Sequence, residues 1–288
     1  MSSNPEVSCA TKAALAQLPV PGVRFYRPRR IESVTAQTPG RRGPRTAASL
    51  PLVVHFHGGT FVSGSLDSGA CIGGLLASAG ALAISVDYPL APEHPFPAAA
   101  EAGYAVLSWV QRHRRALGGR DAAVFVAGEE AGGNIAAAVA IMARDRLGPA
   151  LAGQILISPM LDASLGTASM RGANAGLPQC RWAAGWRGYL PRVCDTAHPY
   201  AAPAAGSRVA GLPPLLLMTA GDDPLRDEGR AYARRLRKGG VTVSELLLPG
   251  STGWPESLTQ APHDRSPWSD TVRAQLFSFL MTHSARAR

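Results

Sequence analysis

A chain of 288 residues, 46% of them hydrophobic, holds enough apolar material for one substantial core or a core with a small lid, and its composition excludes a disordered chain. The net charge of +9 rests almost wholly on arginine, since lysine occurs only at Lys12 and Lys238. The basic runs Arg29-Arg30, Arg41-Arg42-Gly43-Pro44-Arg45 and Arg112-His113-Arg114-Arg115 are short and scattered, which argues against a nucleic-acid footprint.

In chain order, residues 1–48 are rich in Pro, Arg, Ser and Thr and read as an N-terminal arm contributing to a lid, with a short helix over 12–18. The valine-rich run 50–56 predicts a buried strand. A loop at Gly58-Gly59, a helix over 68–81 and a strand over 81–86 follow. Pro89, Pro92, Pro95 and Pro97 make an irregular connection before a helix over 98–115. The strand 122–127 enters a glycine-rich turn, the helix 134–146 leaves it, and 151–158 is the next strand. Strands over 215–219 and 241–248 flank a helix over 227–238 that stops at Gly239-Gly240. A terminal helix covers 272–281. Strand–helix alternation with fully apolar strands predicts an α/β fold, its mostly parallel central sheet flanked by helices. Residues 165–207 interrupt the alternation without a strand and read as a helical lid insertion, leaving 49–164 and 208–288 as the core.

Ligands in such folds gather beyond the carboxyl ends of the strands. Three loops fall there: 57–61, 128–133 and 221–227. His57-Gly58-Gly59-Thr60-Phe61, Asp87-Tyr88-Pro89-Leu90-Ala91-Pro92-Glu93-His94 and Asp222-Asp223-Pro224-Leu225-Arg226-Asp227-Glu228 together resemble the hormone-sensitive-lipase-like branch of the α/β-hydrolases, in particular its bacterial esterases, over about residues 50–280. The resemblance implies an α/β-hydrolase fold. It also implies an oxyanion hole from the amides of Gly58, Gly59 and Ala131, and Asp223 as the triad acid. Where the family carries Gly-Asp-Ser-Ala-Gly-Gly, this chain reads Gly128-Glu129-Glu130-Ala131-Gly132-Gly133. Glu130 stands in the place of the nucleophilic serine, and Gly253 in that of the triad histidine.

These departures set the functional expectation. Glu130 beside an oxyanion hole predicts a non-hydrolytic acid–base enzyme, a cyclase, lyase or isomerase of secondary metabolism, acting on a largely apolar carbonyl compound with Glu130 as general base or acid. Two alternatives stand beside it: an inactive hydrolase-like binding protein, and a divergent hydrolase with Glu130 as nucleophile. His57, Thr60, Phe61, Glu129, Trp182, Trp186, Tyr189 and Trp254 are expected to orient the loop or line the pocket. His263 is the one histidine placed to fold back toward it. Cys9, Cys71, Cys180 and Cys194 lack metal or redox spacing, and a Cys180–Cys194 disulfide stays open. The expectations are completed by no metal, no organic cofactor, a small-molecule ligand, no nucleic acid and no membrane. Cytoplasmic placement follows from the lack of an evident signal peptide, and a homodimer is left open.

Overall fold

A computed structural model describes residues 18, 20–28, 49–172, 180–259 and 266–286. Its seven strands are β1 Gly22–Tyr26, β2 Leu52–Phe56, β3 Leu82–Asp87, β4 Val124–Glu130, β5 Gly153–Pro159, β6 Leu215–Ala220 and β7 Val243–Leu248. They form one sheet in the order β1-β3-β2-β4-β5-β6-β7. β1 pairs antiparallel with β3, and every other pairing is parallel. The α/β class and the mostly parallel sheet follow from strands buried on both faces, as in β2 and β6, where every residue is buried.

Alternate residues of each strand feed two cores. Val54, Phe56, Val126, Leu156 and Leu217 face one layer, which is covered by α2 Ala98–Gly118, α3 Ala131–Asp145 and α6 Arg226–Lys238. Val53, Phe125, Ile155, Ile157 and Met218 face the other, covered by α1 Ala70–Ser78 and α7 Ser269–Arg286. This period of two is the pleat itself. β1 was not among the expected strands: its Gly-Val-Arg-Phe-Tyr sits half-buried at the sheet edge, where the signal of a doubly buried strand is lost.

Over 165–207 the described residues form two short helices, α4 Ala168–Gly172 and α5 Arg181–Tyr189, and 3-10 turns at Val193–Ala197 and Pro203–Ala205. Their apolar residues Met170, Trp182, Trp186, Tyr189, Ala201 and Ala202 pack on Phe61, Phe96, Ala131, Met160 and Leu225. Cys180 and Cys194 are free thiols, and Cys180 Sγ caps α5 by accepting from the Ala183 amide. The helix expected over 12–18 and His263 lie outside the described residues, apart from Leu18. No helix among the described residues is long and apolar enough to cross a membrane.

Candidate active site

The turn from β4 into α3 is set by glycine. A Cβ at Gly128 would lie 2.2 Å from the Gly132 carbonyl oxygen, and one at Gly132 would lie 2.0 Å from the Phe56 oxygen. Helix and strands can approach this closely only without side chains at those positions. Glu130 at the apex has φ 51°, a left-handed backbone that a non-glycine residue adopts at a cost. Its carboxylate does not cap α3. It crosses to the loop after β2 instead.

That loop turns through three positive φ angles, 125° at Gly59, 52° at Thr60 and 69° at Phe61. The turn aims two main-chain amides at one point: Gly59 N–H and Thr60 N–H donate to Glu130 Oε2 at 2.6 and 3.1 Å. The other oxygen, Oε1, accepts from the Trp182 indole at 3.1 Å and pairs with Arg181 at 2.9 Å. The expected amide set is corrected by this geometry. Gly58 N–H turns the other way, to Glu129 Oε1 at 3.0 Å, and Thr60 supplies the second converging amide. Ala131 is buried at the start of α3, against Phe61 and Met160.

Glu129 is the foot of a buried polar chain. Its Oε2 lies 2.7 Å from His55 Nε2, and His55 Nδ1 lies 2.7 Å from Ser85 Oγ. The chain ties β4, β2 and β3 together directly beneath the loop. His57 Nδ1 donates to the Gly58 carbonyl at 2.8 Å and its ring stacks on Tyr88 at 4.3 Å. Burial lowers the His57 pKa, which favours the neutral imidazole. Phe61 stacks on Tyr189 at 4.0 Å and tilts against Trp186 at 5.0 Å. Trp254 does not join them. It packs in the core beneath α1 and α7, edge-on to Trp268 at 5.4 Å.

Asp223 ends a short loop after β6. Its Oδ1 accepts from Ser158 Oγ at 2.8 Å and from the Leu225 amide at 2.8 Å, while Oδ2 is buried without a partner among the described residues. Burial pushes its pKa up to about 7 against the pull of those two donors. Ser158, on the last turn of β5, is wholly buried and has φ 44°. The serine–aspartate pair was not anticipated, because Ile157-Ser158-Pro159 lacks the glycines that mark a nucleophile turn. Gly253 amide N–H donates to Asp222, not Asp223, at 2.8 Å. The buried His283 of α7 lines a cavity of about 330 Å³ with Val124, Leu151, Ala152 and Pro214. These residues mark the amino ends of β4, β5 and β6, the edge of the sheet away from Asp223.

The chain belongs to a family of alpha/beta hydrolase fold proteins, whose model matches residues 53–252. It is 39% identical over 217 residues to esterase LipI of Mycobacterium tuberculosis, covering 72% of this chain and 67% of that protein. It is 39% identical over 213 residues to carboxylesterase NlhH of the same species, covering 69% of this chain and 65% of that one. The chain thus spans about two thirds of the length of these curated relatives. A thermostable esterase from Pseudomonas putida has a solved structure that superposes with a TM-score of 0.72 at 31% identity, covering 97% of this chain and 92% of that chain.

Two expectations are corrected by these findings. The chain is not set apart from hydrolases as a cyclase, lyase or isomerase, since these relatives are esterases at up to 39% identity. Nor is it a scaffold without a serine at the working end of the sheet, since Ser158 stands there bonded to Asp223. The role of Glu130 as general base or acid goes with them. Its Oε2 already accepts from two amides, its Oε1 accepts from the Trp182 indole and is ion-paired with Arg181, and a base needs a free lone pair for the incoming proton.

Proposed function

We propose that this chain is a carboxylic-ester hydrolase that polarises the ester carbonyl with the Gly59 and Thr60 amides and takes its attacking hydroxyl from the Ser158–Asp223 pair. The observation that carries the reading is the convergence of two amides on a single carboxylate oxygen, at 2.6 and 3.1 Å. Donors so arranged stabilise the oxyanion of acyl transfer. Similarity to esterases supports the same chemistry.

Ser158 Oγ would attack the acyl carbon as its proton passes to Asp223, and the departing alkoxide would take that proton back. Water would then release the acid from the acyl-serine by the same transfer. A carboxyl titrating near 7 is suited to both directions at neutral pH. Segment 165–207 serves as a lid, and Phe61, Trp182, Trp186 and Tyr189 suit a small, largely apolar acyl group. Glu130 occupies the two amides, so an ester enters as Glu130 withdraws.

Hydrolysis of p-nitrophenyl butyrate tests this. Ser158→Ala is expected to lower kcat/KM by about 100-fold or more with an unchanged circular-dichroism spectrum. For the unmodified chain kcat/KM is expected to rise with pH through about 7, as Asp223 loses its proton. Undiminished turnover in Ser158→Ala, or no turnover of short acyl esters by the unmodified chain, overturns the reading.

A further inference from the structure

The donors around Glu130 come from elements other than its own. Two are amides of the loop after β2, and two, the Trp182 indole and the Arg181 guanidinium, stand at the start of α5. None belongs to β4 or α3, between which Glu130 sits. The question is whether the cradle depends on Glu130 or only contains it.

Each part of the cradle has its own support. The loop's amides are directed by the positive φ angles at residues 59–61. The preceding amide, Gly58, is anchored on Glu129, which His55 and Ser85 hold in turn. Helix α5 is clamped to the loop by Phe61 between Trp186 and Tyr189, and by Gly185, where a Cβ would lie 2.3 Å from the Thr60 carbonyl oxygen. Arg181 lies over the Trp182 ring at 4.6 Å and reaches Glu256 at 2.8 Å as well as Glu130. Arg181 therefore keeps one tether when Glu130 is removed.

Four donors facing one carboxylate, one of them cationic, make a preformed anion site. The neighbours Phe61, Met160, Met170 and Trp186 form an apolar cluster, which suits a short hydrocarbon tail better than a second charge. We infer that the Gly59–Thr60–Arg181–Trp182 cradle is a carboxylate-binding site, occupied in cis by Glu130, for which a free monocarboxylate with a short apolar tail competes. Binding needs no turnover; only the identity of such an acid as the product of the chain's own reaction rests on the hydrolase reading. In that case the acid is a competitive inhibitor, and Glu130 is its built-in counterpart.

The test titrates sodium butyrate into Glu130→Ala, read by calorimetry and by Trp182-dependent fluorescence. Saturable binding is expected, at least about 10-fold tighter than to the unmodified chain, where the cis carboxylate must be displaced. Adding Arg181→Gln to Glu130→Ala is expected to weaken binding by about 10-fold or more, since a charge-assisted bond is lost. Butyramide, of the same shape without the charge, is expected not to compete. A folded Glu130→Ala that fails to bind butyrate overturns the inference. So does equal binding of butyramide, or indifference to Arg181→Gln. If Glu130→Ala does not fold, the near-isosteric Glu130→Gln replaces it under the same criteria, because its amide nitrogen faces the cradle's donors and weakens the cis contact. Ester turnover is scored separately: a variant that binds butyrate while the unmodified chain hydrolyses nothing keeps the cradle and removes the hydrolase reading.

Discussion

Asp223 shows what burial does to one carboxyl group. It is 1% exposed, one oxygen has two donors and the other has none among the described residues. Folding raises its pKa from an ordinary 3.8 to about 7, so the folded chain holds that proton more tightly than the unfolded chain. For a raised carboxyl the contribution to stability is complete below about pH 4 and is lost as pH rises through about 7. The loss is on the order of 4 kcal/mol at most. Glu228, buried and pushed well above its usual range by desolvation, acts with the same sign. Asp223→Asn cannot ionise, so its melting temperature is expected to fall less between pH 5 and pH 8 than that of the unmodified chain. Equal falls in the two proteins would show that the Asp223 proton does not couple to folding. The sequence disclosed Asp223 and Glu130 through the motifs around them. It did not disclose Ser158, whose significance comes from a contact 65 residues away. It also did not disclose which loop amides converge, because the direction of an N–H depends on backbone φ and not on residue type.

Among the elements, the closest fit is that of α3 against β2 and β4. α3 begins with Ala131, Gly132 and Gly133, all wholly or nearly buried, and Gly132 has its Cα against the Phe56 and His57 carbonyls. Those oxygens belong to backbone and cannot move without dragging the loop after β2. Gly132→Ala is therefore expected to destabilise the fold by about 3 kcal/mol or more, seen as a lowered midpoint in urea denaturation. Gly80→Ala is a contrasting control: a Cβ there meets nothing within 4 Å, although φ of 91° still imposes strain. A midpoint for Gly132→Ala no lower than that of Gly80→Ala would refute the close-approach argument. Most elements were legible because doubly buried strands write continuous apolar runs, and helix ends carry glycine or proline. The edge strand β1 was not, since among the described residues one side of it has no neighbouring strand and its Arg24 turns outward to Asp67 at 2.7 Å. Trp254 was misplaced for a related reason: an aromatic after the last strand reads the same whether it lines a pocket or, as here, closes the far core.

At the scale of the whole molecule, the charge of +9 is the excess of 29 basic over 20 acidic residues, scattered along the chain, and part of the basic set is ion-paired. Arg24 pairs with Asp67, Arg146 with Glu101, Arg192 with Asp195, Arg226 with Asp227, Arg237 with Glu245 and Arg273 with Asp270. Surface pairs of this kind add little to stability, but each cancels the local field that a polyanion would follow. The carboxyl end of the sheet moreover carries Glu129, Glu130, Asp222 and Asp223, of which only Asp222 is not buried, with Arg181 and Arg226 beside them. A cationic surface that binds nucleic acid loses affinity steeply with salt in proportion to the phosphates it neutralises. Scattered arginines neutralise few phosphates at once. Fluorescence anisotropy with labelled duplex DNA is therefore expected to show at most weak binding at 50 mM salt, without sequence preference, vanishing by about 150 mM. Tight binding that survives that salt, or discrimination between duplexes, would mean that the arginines form a continuous stripe, and the dispersed-charge account of the molecule would fail.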